Sequence, residues 1–426
     1  MSADQAMNMR TTVRALQNTL FRAAKQSLGR KFGALYDKVY REDVLRAAWR
    51  QVRANDGAPG VDRQSFEHIE EVIGVEVFLA ELTEELREQR YRPLAVRRCW
   101  IEKPGKPEKR PLGIPVIRDR VVQAAVKIVI EPIFEANFLP CSYGFRPKIS
   151  QHMAIRQVQR SITFGKQTVV IDADIKGCDE NIRHDLLLNL VQRRISDQRI
   201  AKLIKGWLKA GVMDGGEHVP SGEMGTPQGG VISPLLANSY LHSFDKMFQI
   251  AKIPGTLVRF ADDIVILLWR NGKQVMEKVR GMLGRLGLTL HPGKTRVVAA
   301  AEGFDFLGVH FRLRPVRKPN AKIPFSCRLW PSDRSVIRIK RRVKDVIGRQ
   351  YGTSLEEVIR KINPVLRGWN NYQTAVQSER KRFLKLNSFV RERVRIFLKR
   401  KDNDQSRGAW RVHGNVLVRR GMFQLG

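Results

Sequence analysis

Four carboxylates stand where their neighbours do not ordinarily admit a charge. Asp172 and Asp174 interrupt the β-branched run Thr168-Val-Val-Ile-Asp-Ala-Asp-Ile175, and Asp262-Asp263 lies between Phe260-Ala261 and Ile264-Val-Ile266. Side chains alternate along a strand, so Asp172 and Asp174 project to one face, and a doublet at a strand-turn-strand tip can aim both carboxylates at one point. Acids among apolar residues are tolerated when they hold hard cations, and two magnesium ions roughly 3.5–4 Å apart are the usual apparatus for in-line phosphoryl transfer. Taken alone, an Asp-Asp doublet is more often a pair of solvated turn acids.

The elements that position these acids follow from periodicity. Thr168 to Ile175 reads as one strand and Val258 to Leu268 as a second; between them lie a helix around Asp185 to Ala210 and a Gly/Pro-rich loop at Gly222 to Gly230. Upstream, residues 11–54 are helical, the turn-rich segment Asn55-Asp-Gly-Ala-Pro-Gly-Val-Asp62 breaks them, and a helix runs from about Ile69 to Gln89. Ala95 to Ile101 is β-like and leads into the basic turn Lys103 to Arg110, a hairpin with cationic tips suited to phosphate. Residues 118–138 return to helix, and beyond residue 332 the chain reads as basic helices at Arg334 to Gln350, Ser354 to Trp369 and Arg380 to Arg400.

Charge narrows the partner. The chain has 426 residues, room for two or three domains, and a formal net charge of +35. Such self-repulsion is normally tolerated when a polyanion is the working partner. Residues 311–426 carry 30 Lys+Arg against 8 Asp+Glu, +22 of the excess. Apolar runs stop far short of the roughly 18 residues that span a bilayer, and the first ten residues lack the apolar core of a signal peptide. Cys99, Cys141, Cys178 and Cys327 form no CxxC pair, which argues against a disulfide framework or a zinc site and for a reduced, cytosolic protein.

The doublet does not stand alone. In order along the chain come the Asn55 to Asp62 loop, Lys109-Arg-Pro-Leu-Gly-Ile-Pro115 with Asp119-Arg120, and Cys141-Ser-Tyr-Gly-Phe-Arg-Pro147. Asp174-Ile-Lys-Gly-Cys178 and Gly225-Thr-Pro-Gln-Gly-Gly-Val-Ile-Ser-Pro-Leu-Leu-Ala-Asn238 follow, then Arg259-Phe-Ala-Asp-Asp263, Leu288 to Thr295 and Gly303-Phe-Asp-Phe-Leu-Gly308. With these segments the chain resembles the group II intron reverse transcriptase and maturase family over nearly its full length. Arg367-Gly-Trp-Asn-Asn-Tyr372 resembles the family's maturase region, domain X, and Gly408-Ala-Trp-Arg411 resembles short members without an endonuclease.

The resemblance implies an α+β right-hand polymerase with fingers, an antiparallel-sheet palm and a helical thumb. The expected division is residues 1–75 as an N-terminal helical extension, 76–312 as fingers and palm, 313–400 as thumb and domain X, and 401–426 as a short basic segment. It implies RNA-directed DNA synthesis from dNTPs on an RNA template with a DNA primer, and binding of intron RNA to assist splicing and mobility, with a DNA target. Asp174, Asp262 and Asp263 match the carboxylates that hold two Mg2+ ions. Lys103 and Arg110 are candidate triphosphate contacts, Gln228 stands where template and nucleotide approach the backbone, and Lys294 either faces the nucleotide phosphates or supports the palm. Phe304 and Phe306 with Gly308 resemble the primer grip, although alternating aromatics also read as plain core.

Two positions depart from the family pattern. After Cys178 most relatives carry an aromatic residue and then Asp, whereas this chain has Asp179 and Glu180. The resemblance makes that aromatic the surface under the nucleotide sugar, so an acid there removes an apolar face and adds charge beside a triphosphate. Phe260 for Tyr loses only a hydroxyl. The rival readings are a splicing maturase with a decayed polymerase site, and a domesticated relative in DNA repair or phage defence. The basic helices place Lys340, Arg341, Arg342 and Lys344, and Arg391, Arg393, Arg395, Lys399 and Arg400, as RNA contacts, because a merely solvated face would show balancing acids. Trp369 and Tyr372 are candidates for base stacking, Trp369 reading more readily as core.

Overall fold

The computed structural model describes residues 3–102, 109–226, 229–316, 323–349, 351–374, 380–401 and 414–426. Lys103, Gln228 and the Gly408 to Arg411 segment lie outside the described residues.

An antiparallel sheet ordered Gly255–Phe260, Asp263–Leu268, Val169–Asp174, Arg296–Ala299 carries the carboxylates. The run expected as one strand from Val258 to Leu268 is a hairpin that turns at Ala261-Asp262, with Ala261 at φ 56°. Val170, Val258, Val265 and Leu267 pack on helix Gln151–Thr163 and on a second antiparallel sheet formed by Phe304–Phe306, Val309–Pro315 and Phe325–Pro331. Ile171, Ala173, Ile264, Ile266 and Leu268 join a larger core with helices Ile117–Glu135, Ser233–Ile250 and Gly272–Gly284. Burial on both faces is why these strands read as nearly continuous apolar runs. Phe304 and Phe306 are buried, Phe304 stacked on Phe311 at 5.2 Å.

A mixed sheet, Lys109–Ile114, Val96–Glu102, Val212–Asp214, Glu217–Val219, lies upstream; its first two strands pair antiparallel on either side of the expected basic turn, whose residues 103–108 lie outside the described residues. The expected helix from Asp185 to Ala210 is two, His184–Gln192 and Gln198–Lys209. The break has a cause: Asp197 caps the second helix at Arg199 N and also accepts from the amides of Leu35 and Tyr36. Asn55 to Asp62 is a loop held by arginines. Arg120 donates to the carbonyls of Gly57, Ala58 and Pro115, and Arg97 donates to that of Pro59.

Downstream, helices Asp333–Ile347, Leu355–Thr374 and Arg380–Lys401 enclose a core of their own, which Leu417, Met422 and Leu425 complete. Ser332 caps the first through Ser335 N. Tyr372 ties this body to the sheets: its hydroxyl donates to Leu307 O at 2.7 Å, and its carbonyl lies 2.9 Å from His152 Nε2.

Candidate active site

Strand register brings the acids together. Asp174 pairs with Asp263 across neighbouring strands, and Asp172 is flanked by Val265 and Arg296, so three carboxylates share one face at one end of the sheet. Lys294 Nζ lies 2.5 Å from Asp174 Oδ2, and Arg296 Nε is 3.2 Å from Asp172 Oδ2. A short turn delivers Lys294: His291 N donates to Asp174 O at 2.7 Å, and Lys294 N donates back to His291 O. Asp263 keeps an exposed edge, yet desolvation by the surrounding protein, and then Asp262, Asp174 and Asp172, push its pKa up to about 7, with Lys294 acting against them. Desolvation and Asp174 raise Asp262 too, with Arg110 and Lys294 opposing.

The site is therefore short of positive charge, and an all-carboxylate donor set with mutual repulsion fits a hard divalent cation. Among the described residues no three His, Cys, Asp or Glu side chains converge closely enough to enclose a metal unaided.

Asp179 belongs to the same electrostatic unit. It opens a short 3-10 turn, Asp179–Asn181, directly after the buried Cys178. Desolvation and then Asp262 raise its pKa, and Arg110 lowers it. The segment before Gln228 is fastened here, since Thr226 N donates to Asp179 O at 2.8 Å and Gly225 N to Ile182 O. On the far side Gly229, at φ 113°, lies so near strand Lys109–Ile114 that an added Cβ would stand 2.5 Å from Gly113 O. Arg110, Asp179 and the borders of the Gln228 loop thus surround the carboxylates.

One arginine escapes a reading of the sequence. Arg259, wholly buried, donates to both oxygens of Asp245 (2.8 and 2.6 Å), to Asn238 Oδ1, to Ser142 Oγ and to Ala261 O. It fixes the turn that carries Asp262, and it unites segments far apart in the sequence: Ser142 belongs to Cys141–Pro147, Asn238 ends the Gly225 segment, and Asp245 lies two turns further along the same helix. Gly144 completes the joint, because a Cβ there would come within 2.4 Å of Ala261 N. Removing one partner of such a pair typically costs about 3–5 kcal/mol.

A cleft of about 870 Å³ opens over the acids, lined by Asp172, Asp174, Asp263 and Lys294 on one side and by Arg334, Arg338 and Arg342 on the other. These arginines recur every fourth residue, on the stripe that adjoins Ile339, Val343 and Ile347, which turn into the helical core. Of the expected RNA contacts, Arg341, Arg342, Lys344, Lys399 and Arg400 are exposed. Lys340 lies over the Phe389 ring, and three of the others have internal partners: Arg391 with Ser388, Arg395 with Glu392, Arg400 with Tyr351. Arg393 is half-buried. Trp369 and Tyr372 line the cleft, and the Trp369 indole N–H donates to Ser335 Oγ.

The raised Asp263 pKa gives a testable pH dependence. A carboxyl whose folded pKa lies above its unfolded value contributes stability below the unfolded pKa, and that contribution is lost as pH climbs through the folded one. Metal-free protein is expected to lose thermal stability between about pH 4 and pH 7, the Asp263→Asn variant to lose less, and magnesium to restore part of the loss by favouring the ionised form. Melting temperatures at pH 5 and pH 8, in chelator and in magnesium, check this; identical pH profiles for the two proteins would refute it.

Residues 101–311 match the family model described as reverse transcriptase (RNA-dependent DNA polymerase), and residues 336–413 match that of the group II intron maturase-specific domain. Protein YkfC of Escherichia coli (strain K12) is 36% identical over 304 residues, 62% of this chain and 79% of the relative. Group II intron-encoded protein LtrA of Lactococcus lactis subsp. cremoris is 36% identical over 239 residues, 54% of this chain and 38% of LtrA. An uncharacterized 91 kDa protein in the cob intron of Schizosaccharomyces pombe is 26% identical over 428 residues, 80% of this chain and 51% of that protein. The described helices include none long and apolar enough to cross a membrane. Its two matched domains and its relatives agree with the ordered segments around the carboxylates, and the chain belongs to the group II intron reverse transcriptase and maturase family.

Proposed function

We propose that this chain is an RNA-directed DNA polymerase that also binds intron RNA as a maturase, built as a right hand. Residues 76–312 form fingers and palm, residues 313–400 form the thumb with domain X, residues 1–75 are an N-terminal helical extension, and residues 401–426 are a short basic C-terminal segment whose Leu417, Met422 and Leu425 pack into the thumb core. The observation that carries the reading is the register that sets Asp174 beside Asp263, next to Asp262, beneath a cleft walled by Arg334 and by Arg338 and Arg342 of the maturase-matched region. Asp174, Asp262 and Asp263 would hold two Mg2+ ions, which when bound lower the barrier for a primer 3′-hydroxyl attacking an α-phosphate. Arg110 and Lys103 receive the triphosphate, Arg110 with a bidentate fork. Lys294 neutralises Asp174 in the metal-free chain and turns to phosphate in the loaded one. Gln228 faces the nucleotide and template. Primer extension on an RNA template with dNTPs and magnesium tests the reading, and no product from folded protein that still binds intron RNA would leave a splicing maturase. The acid at Asp179 is the observation that favours this second reading.

Phosphate neutralisation by the basic helices should dominate affinity for intron RNA. Replacing Arg341, Arg342 and Lys344 by Gln is expected to flatten the dependence of log K on log salt by roughly 0.7–0.9 for each phosphate no longer neutralised. Lys340→Gln should add little, because its ammonium is engaged over Phe389. Filter binding across a salt series decides, and an unchanged slope in the triple variant would make these residues a solvated face.

A further inference from the structure

Phe145 combines three properties that do not normally coincide. Its side chain is 59% exposed, its backbone is in the left-handed region at φ 55°, and its ring centroid lies 6.3 Å from that of Phe260, two residues before Asp262. A bulky residue at positive φ carries backbone strain. A ring this exposed recovers little by packing beyond its contact with Phe260, so the fold itself gains little from phenylalanine here, and glycine or asparagine would suit the turn better.

The strain is imposed from both sides. Before Phe145, Tyr143 N donates to Arg259 O and Arg259 N to Cys141 O, each at 2.8 Å, Ser142 Oγ accepts from the buried Arg259 guanidinium, and Asn238 Nδ2 donates to Gly144 O at 2.7 Å. After it, Arg146 donates to Leu139 O and Ser142 O and pairs with Glu135, its guanidinium over the Phe138 ring. Gly144 abuts Ala261 N. A rigid, largely buried cage therefore holds one aromatic ring out in solvent against the turn that bears the carboxylates.

We propose that Phe145 is a stacking surface for a nucleobase of the strand whose end reaches Asp262 and Asp263. The inference rests on the polymerase reading and adds a contact to it. A nucleic acid is the occupant that the chemistry favours, because the chain carries +35 and belongs to a reverse transcriptase family. An aromatic ring stacks on any base, as a copying enzyme requires. The cage fixes ring and carboxylate turn in one frame, so a base stacked on Phe145 sets the position of its own strand end relative to the acids.

The full chain is tested with a primer–template carrying 2-aminopurine at the primer 3′ terminus, without dNTPs, so that binding is read apart from chemistry. Phe145→Gly is expected to raise the melting temperature by releasing strain, to weaken binding about tenfold, and to abolish the fluorescence change that stacking produces. Phe145→Trp should keep affinity and signal, while Phe145→Leu should lose the signal. Wild-type protein that binds the duplex with the same affinity and fluorescence as Phe145→Gly would overturn the inference and leave the polymerase reading standing. Wild-type protein that fails to bind the duplex would overturn both.

Discussion

Asp262→Asn combined with Asp263→Asn is expected to reduce primer extension by about a thousandfold or more, with intron RNA affinity unchanged. Metal stabilisation of a phosphoryl-transfer transition state supplies several kcal/mol, and each 1.36 kcal/mol is roughly a factor of ten. Asparagine keeps the size of the side chain and removes the anion, so the loss falls on cation binding while the fold is spared. The metal-free fold should gain stability, since Asp263 is destabilised by Asp262, Asp174 and Asp172. On the proposed reading RNA affinity is carried by the cations of helices Asp333–Ile347 and Arg380–Lys401, which the double substitution leaves intact. Single-turnover extension with excess enzyme, beside a melting curve, makes the measurement. Unchanged extension in the double variant would remove these acids from the chemistry.

The acids are legible in the sequence because a charge inside an apolar run is conspicuous in any reading of the chain. Arg259 is not, because a lone arginine in a strand carries no mark of burial, and its partner Asp245 lies 14 residues away on a helix with nothing to distinguish it. The hairpin break at Ala261-Asp262 is signalled by the doublet alone, because the apolar residues on either side read as one continuous strand. Strands Arg296–Ala299, Val309–Pro315 and Phe325–Pro331 mix charged residues with apolar ones, so only their pairing reveals them. The basic character of helix Asp333–Ile347 is plain from composition, but composition does not give its phase. Arg334, Arg338 and Arg342, on the stripe next to the buried Ile339, Val343 and Ile347, line the cleft, and of these only Arg342 is among the expected RNA contacts. The spacing of the three apolar residues already contains that signal.

Asp179→Phe is expected to raise deoxynucleotide incorporation by more than about tenfold and to lower ribonucleotide incorporation. Asp179 senses Asp262 and Arg110 directly, which sets it within the charge field of the site. An ionised carboxylate roughly 4 Å from a triphosphate opposes binding by on the order of 4 kcal/mol at an effective dielectric near 20. Arg110 cancels part of this, and partial protonation of Asp179 cancels more, since desolvation and Asp262 hold its pKa up. The repulsion should therefore ease as pH falls and grow as pH rises, so the benefit of the substitution should be larger at alkaline than at acidic pH. In the sugar-facing position that the resemblance implies for residue 179, a ring would fill the space beside the nucleotide sugar and disfavour a 2′-hydroxyl, whereas the short aspartate would leave room for one. Intron RNA binding should not move, because the exposed Arg341 and Lys344 lie on another body of the fold. The comparison needs kcat/KM for dNTPs and for NTPs at an acidic and an alkaline pH. Equal or lower dNTP incorporation by a folded, RNA-binding Asp179→Phe protein would mean that the acid is used by the site, as a ligand or as a hydrogen-bond acceptor for a ribose hydroxyl.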